Sequence, residues 1–474
     1  MPCLTTLPAE LQEAIIQYLD PKAILCLAKT CNTLATTALP HLYHTIHLTW
    51  KASNKPPKQP RIASLLRSVV THSKLAVAVK VLKLDATGFT VRQQGRLSYP
   101  KKISHVIEED IKAAGRALSA VKMPNRKKWE DGIKENDLDA IVTLLVSQCS
   151  NLESLSMGAY FLNSNAFLPA MLQHVVQMSG FQRLEHASLG VDMQEYQHDV
   201  GFLKINAESV LPIFHLPKLR SAHVLLVNAT SAIHSLPKST TLTELRLQRS
   251  RVSGSMLSNL LSSIQKLVSF EYDYRPKVGE RIDCQAIMDG LKPFQATLKN
   301  LRICIQPFST DTLVPFEFSV DEFVDGYIGS SLKDFTTLEN LEVSLVVLLG
   351  RYVSTVAPLS SVLPPNLQVL TIRDDLWDYE DWEWDDIEYI KLFYTFLKHG
   401  RWREACPKLR FINLRLDQTM DDDWDEDKRE KFRKMCNIKG VECGIYKLKV
   451  DRNEGRNGMS KEKAKRGEVL NTYF

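Results

Sequence analysis

The feature that most constrains this chain is a six-position apolar pattern, Leu-x-x-Leu-x-Leu with other apolar residues allowed, that recurs ten times. It reads Val79/Leu82/Leu84, Leu152/Leu155/Met157, Leu184/Ala187/Leu189, Leu219/Ala222/Val224 and Leu242/Leu245/Leu247. It continues as Leu267/Phe270/Tyr272, Leu298/Leu301/Ile303, Leu338/Leu341/Val343, Leu367/Leu370/Ile372 and Leu409/Ile412/Leu414. The last two apolar positions alternate with polar ones, the period of a strand with one buried face. Helical patterns lie between units, as in Leu138–Val146, Met256–Ile264 and Ile387–Leu397. A strand and helix of this size cannot bury their own apolar face, so neighbouring units must stack. One stacked array then accounts for most of the 474 residues without several separate cores.

The repeated strand and helix resemble a leucine-rich-repeat solenoid. That resemblance implies a face of parallel strands with helices on the convex side. The sequence departs from the regular pattern in two ways. Anchor spacing varies, from 23 residues (Leu219 to Leu242) to 42 (Leu367 to Leu409), where regular repeats run about 20–29. The Asn or Cys expected three positions after the last apolar residue is replaced, for example by Ser250, Arg275, Val346, Asp375 and Asp417. An irregular array without that side-chain ladder is expected over residues 76–446. A helical insertion near 85–148 interrupts it, read as two helices, Ile103–Val121 and Asp137–Cys149, joined by the basic, exposed stretch Pro124–Lys128.

The first fifty residues follow another pattern. Leu7-Pro8-Ala9-Glu10-Leu11 opens a helix, with proline in the first turn and an acid near the positive end. Leu11, Ile15, Ile16 and Leu19 keep helical spacing; Asp20-Pro21 caps and starts a second helix carrying Ile24, Leu25, Leu27 and Ala28. A third is expected from Asn32 to Leu39, with Leu34 and Ala38 inward, ended by Pro40, after which His41–Leu48 turns extended. Three such helices are too small to be stable alone and must dock.

Leu7-Pro8-x-Glu10-Leu11, Ile15/Ile16, Leu19-Asp20-Pro21, Leu25-x-Leu27-Ala28-x-Thr30-Cys31 and Leu34 resemble an F-box. Ala38-Leu39-Pro40-x-Leu42-Tyr43-x-Thr45-Ile46-x-Leu48 resembles the ending common in fungal F-box proteins. The match covers about a tenth of the chain. The fold expected is therefore α/β: a short three-helix F-box at 1–50, a linker at 51–75, an irregular leucine-rich-repeat-like solenoid at 76–446 and a basic flexible tail at 447–474. The linker reading rests on Lys51, Lys55, Lys58 and Arg61 among Pro56, Pro57 and Pro60.

Composition narrows the function. Sixty basic against 55 acidic residues is too balanced to imply nucleic acid. Twenty glycines are few for glycine-rich phosphate loops, and no G-x-G-x-x-G, Walker A or H-E-x-x-H sequence occurs. Nine cysteines, an odd number without a CxxC pair, read as reduced thiols of the cytoplasm or nucleus. No basic leader or membrane-spanning apolar run is visible. His41, His44 and His47 recur every third residue, but across a helix-to-strand change their rings need not converge, so no metal is expected. Asp423, Asp425 and Asp427 imitate a calcium loop, but Lys428 and Lys434 stand where it needs Gly and Glu. Residues 374–388 carry nine acids interleaved with Trp377, Trp382 and Trp384, read as an exposed loop leading into a helix, or as a contact for a basic partner with tryptophan as anchor. No cofactor or catalytic residue is expected.

Binding candidates alternate with the buried strand anchors: Arg246, Glu271, Asp273, Arg302, Glu342, Arg373 and Arg415. Their signs are mixed, which disfavours a nucleic-acid groove. The F-box resemblance implies a non-catalytic substrate receptor of an SCF-type cullin–RING ubiquitin ligase. Its Skp-family adaptor would bind Leu7, Pro8, Leu11, Ile15, Leu19, Leu25, Leu27 and Leu34, and link the chain to cullin and RING subunits. An unidentified protein substrate would bind the solenoid. Some of the eight adaptor candidates must instead hold the helices together, and sequence does not separate the two sets. The alternative is an interaction scaffold that directs no ubiquitination.

Overall fold

The computed structural model of the chain describes residues 4–50, 61–85, 91–93, 96–98, 101–104, 106–191, 205, 207–227, 236–277, 279–307, 319–377, 381, 383–398, 400–417 and 424–448. The linker segment 51–60 and the tail beyond Leu448 lie outside them. The architecture is α/β, with many helices and a mostly parallel, open sheet. Among the described residues no helix is long and apolar enough to cross a membrane.

Twelve strands form the main sheet in unbroken chain order. They are β1 (Thr45–Thr49), β2 (Val81–Asp85), β3 (Ser154–Met157), β4 (His186–Leu189), β5 (Ser221–Val224) and β6 (Glu244–Ser250). Then follow β7 (Ser269–Tyr274), β8 (Asn300–Ile305), β9 (Asn340–Ser344), β10 (Val369–Arg373), β11 (Phe411–Asp417) and β12 (Glu442–Leu448). All ten sequence units supply a strand. β1 and β12 extend the sheet by one strand at each end. β12 escaped the sequence reading because Glu442-Cys443-Gly444 lacks the leucine signature.

The register places like on like. Leu82, Leu155, Ala187, Ala222, Leu245, Phe270, Leu301, Leu341, Leu370, Ile412 and Cys443 form one column across β2–β12. One carbonyl per unit accepts two N–H groups from the next: Glu153 O from Glu185 and His186, Val268 O from Lys299 and Asn300, Gln368 O from Arg410 and Phe411. The residue just before the first anchor adds a side-chain clamp. Thr241, Thr297 and Thr337 donate to the carbonyls of Leu219, Leu267 and Leu298 at 2.8, 2.8 and 2.9 Å.

The expectation of no side-chain ladder needs correction. Ser250 Oγ accepts from Leu226 N (2.9 Å) and donates to Val224 O (3.3 Å). Asp375 accepts from Ile305 N (3.0 Å) and from Ser344 Oγ. Both stand where Asn or Cys was expected, because any short side chain with an acceptor oxygen can satisfy the strand-end backbone there.

Three helices precede β1: α1 (Ala9–Ile16), α2 (Pro21–Ala28) and α3 (Asn32–His44). Asp20 caps α2 through Lys22 N (2.8 Å) and Ala23 N (2.9 Å). α3 does not end at Pro40 but runs through it to His44. The proline costs one intrahelical bond; the extra turn seats Leu42 against Ile16, Ile24 and Ala38, a small core of its own. Ile46 and Trp50 belong instead to the large core that follows the sheet, where Trp50 meets Phe161 edge-on at 4.9 Å.

The domain boundaries shift accordingly. The linker expected to reach residue 75 gives way by Ile62 to α4 (Ile62–Thr71), which buries Ile62, Ala63, Leu66 and Val69. The insertion holds three helices and not two: α5 (Glu108–Val121), α6 (Arg126–Lys134) and α7 (Leu138–Gln148). The basic stretch opens α6, because Trp129 and Ile133 recur one helical turn apart and are buried.

Tyr272 tests the stacking. Its ring is buried, and its hydroxyl accepts from Val252 N (3.2 Å) and donates to Val252 O (3.0 Å). Tyr272→Phe leaves both backbone groups unpaired and is expected to cost about 1–3 kcal/mol. Urea unfolding would show this as a lower midpoint with an unchanged slope.

Candidate functional site

Two surfaces carry the candidate residues. The first is the outer side of α1 and α2. Ile16, Ile24 and Ala38 point inward, with Leu19 and Leu27 half-buried against them. Leu34 is also buried, which removes it from the residues a partner can reach. Leu11, Ile15 and Leu25 are 52, 41 and 44% exposed; Pro8 is exposed and Leu7 half-buried. Tyr18, absent from the sequence expectation, is 91% exposed. The buried amide of Gln12 ties the helices by donating to Leu7 O (2.9 Å) and accepting from Thr37 Oγ1 (3.3 Å).

The second surface is the polar column between the strand anchors. Register aligns His223, Arg246, Glu271, Arg302, Glu342, Thr371 and Asn413 on β5–β11. Side chains close the column into a chain of ion pairs. Arg246 binds Glu244 (2.6 Å) and Glu271 (3.3 Å); Arg302 lies 3.5 Å from Glu271 and 3.2 Å from Glu342. Arg373 and Arg415 reach the same Glu342 oxygen at 2.9 and 3.2 Å. Arg373 Nε also donates to Asp375 (2.8 Å), and both groups are fully buried.

Six of the seven expected substrate-binding residues therefore lie in one network, already paired with each other or with Glu244 and Asp375. The seventh, Asp273, sits opposite Cys304 in the register, with Oδ1 buried and without a hydrogen-bond partner among the described residues. Sequence reasoning missed Asp375 as a member of this network, the buried partner of Arg373. The available signal was its place three positions after Ile372. Glu342 shows the balance of forces: burial opposes its ionisation, but Arg302, Arg373 and Arg415 override it and hold the carboxyl below its ordinary range. Glu244 is pushed down to about 2, first by the hydrogen bond from His223, with Arg246 and Ser221 adding, against burial.

The remaining motifs resolve into structure. Trp384 is buried and donates to Gly350 O (3.0 Å), so it anchors the core and not a partner. Trp382 lies outside the described residues. Asp374 and the side chain of Asp375 are buried; Asp381, Glu383 and Asp385 are exposed and Glu388 is half-buried. Asp425 caps the helix Glu426–Ile438 through Lys428 N (2.8 Å). His44 ends α3 beside Thr45, and His47 on β1 faces Thr49. Among the described residues no group of three or more His, Cys, Asp or Glu gathers as a metal site.

No protein-family model matches the chain, and comparison with curated proteins finds no match.

The network predicts an acid response. A carboxyl whose pKa is lower folded than unfolded adds stability above the unfolded value, and that stability is lost as pH falls through the folded value. For Glu244 the window runs from the unfolded value of about 4.3 down to about 2. The melting temperature of Glu244→Gln should fall less steeply than that of the wild type across that window. A second contrast separates hub from rim. Glu342→Ala strands buried Arg373 without one acceptor and should cost about 3–5 kcal/mol. Arg415→Ala, at the exposed end, should cost about 1 kcal/mol or less. Denaturant titration of both variants checks the ratio.

Proposed function

We propose that this chain is the substrate-recognition subunit of an SCF-type cullin–RING ubiquitin ligase. On this reading helices α1–α3 are an F-box that binds a Skp-family adaptor, and the stacked units form a leucine-rich-repeat-like solenoid that binds a protein substrate. One observation carries the reading. The apolar side chains of α1 and α2 fall into two sets, and the outward set of Pro8, Leu11, Ile15 and Leu25 is exposed while Ile16 and Ile24 hold the helices together. Apolar side chains grouped on a small helical module favour a partner that buries them. The sequence motif names the kind of partner.

The chain would make and break no bond itself. It would raise the effective concentration of substrate lysines near the charged ubiquitin carrier, through the adaptor, cullin and RING subunits. That role belongs in the cytoplasm or nucleus.

The test uses exposed positions, so folding is spared. Leu11→Asp/Leu25→Asp should weaken adaptor binding by at least about 100-fold, since each buried leucine contributes roughly 1.5–3 kcal/mol. Circular dichroism should be unchanged. No adaptor retained by the wild type, or equal retention by both proteins, would sink the proposal. Adaptor retained without ubiquitin transfer to any co-purifying protein would favour the non-catalytic scaffold.

A further inference from the structure

The ion pairs of the strand face balance one another except at one position. Arg246, Arg302, Arg373 and Arg415 are answered by the carboxylates of Glu244, Glu271, Glu342 and Asp375. Asp273 is a further carboxylate on the same face, two residues beyond Glu271 on β7. Its Oδ1 is closed off from solvent, and among the described residues no hydrogen bond or ion pair reaches the carboxylate. The residue as a whole is only half-buried, so a partner can reach it. Arg302, on the neighbouring strand, is turned instead to Glu271 and Glu342. Cys304, opposite Asp273, is fully buried and uncharged; burial first and then the Asp273 charge push its thiol well above the ordinary range.

The backbone beside Asp273 also departs from the regular ladder. Leu247 pairs with Tyr272 and Ser250 with Tyr274, so Gln248 and Arg249 together stand opposite Asp273. This bulge is the one register shift among the described strand pairs. Arg249 takes the left-handed conformation there, with φ at +48°, which residues other than glycine seldom adopt. Bulges interrupt pairing and re-aim side chains, and they recur beside binding sites.

We propose that Asp273 is the specificity-determining position of the strand face and takes an arginine or lysine side chain of a protein partner. The inference rests on the strand face being a protein-binding surface, as proposed above, and holds for receptor and scaffold alike. A carboxylate partly out of water and without a donor is costly to leave so. A guanidinium or ammonium supplies both the missing donor and the missing charge. The arginines already on the face cannot take that place, because each would strand the carboxylate it left. A metal ion does not suit the position: one carboxylate gives too few ligands, and no group of three or more His, Cys, Asp or Glu gathers among the described residues. An acidic or apolar side chain laid over Asp273 would cover it unpaired, so the position rejects partners as well as binding them.

The test immobilises the native full-length chain and selects from a displayed library of random peptides. The wild type should enrich peptides that share an arginine or lysine, and Asp273→Asn should bind those peptides at least about 10-fold more weakly. Asp273→Lys should invert the choice and enrich peptides with Asp or Glu in place of the cation. Asp273→Asn breaks no bond within the chain, so its urea midpoint should equal or exceed that of the wild type. That readout separates recognition from a structural role. Four outcomes would overturn the inference: no enrichment, enriched peptides without a shared cation, equal binding by Asp273→Asn, or an Asp273→Asn midpoint well below the wild type. Adaptor retention, measured in parallel on the same proteins, does not involve Asp273, and its failure would count against the ligase reading alone.

Discussion

The fold depends on holding twelve parallel strands in one register. Side chains alternate across a strand, so a slip of one residue would exchange Leu301 for Arg302 in the core and turn a whole column of leucines to solvent. Three sets of bonds resist that slip. One carbonyl per unit takes two N–H groups from the next, threonines before the anchors clamp the preceding unit, and the ion pairs run along the same alignment. The register that sets Leu301 beside Phe270 and Leu341 also sets Arg302 between Glu271 and Glu342. Both faces of the sheet thus enforce the same answer.

The ion-pair chain also decides what the strand face can offer. Arginine suits it because a guanidinium fork can reach carboxylates on two neighbouring strands at once, which a lysine ammonium does less well. Arg302 does so between Glu271 and Glu342. Every charge so engaged is already answered, so a partner must exchange its own charges for existing ones. Such exchange contributes less to raw affinity than to selectivity, because a mismatched partner leaves desolvated charges behind. On the proposed reading, the face is therefore better suited to discriminate between partners than to capture any charged surface.

Much of this was legible in the sequence, for a definite reason. The ten units stand out because a leucine followed by two alternating apolar positions suits a half-buried strand and little else. The mixed signs of Arg246, Glu271, Arg302 and Glu342 were visible as well; their mutual pairing was not, since it depends on anchors 31 and 40 residues apart lying side by side (Leu267 to Leu298, Leu298 to Leu338). Ser250 and Asp375 were passed over because the expected residue types were too narrow. Pro40 misled because the cost of one lost helical bond is offset by packing that only the folded helices reveal. Trp384 was read as part of an exposed acidic loop, or as a partner contact, because Glu383 and Asp385 flank it, whereas its own indole turns inward to Gly350.

The junction between the two surfaces has a consequence for the proposed function. A linker after residue 50 suggested a helical module set apart from the array by a stiff, solvated spacer. Instead α3 ends at His44, β1 begins at Thr45, and β1 pairs with β2 along its length, Thr45 with Val81 through Thr49 with Asp85. Trp50 then anchors in the large core, with its backbone N–H donating to Asp85 O at 3.1 Å. The chain enters the sheet before it reaches the proline-rich stretch, which joins β1 to α4 and not the module to the array. The small core of Ile16, Ile24 and Ala38 would be marginal alone, and the continuous run of α3 into β1 couples it to the larger one. On the proposed reading, the adaptor surface and the strand face are then held at a set orientation. A receptor that works by proximity gains from that rigidity, since a fixed geometry spends less entropy in bringing a substrate lysine to the ubiquitin carrier.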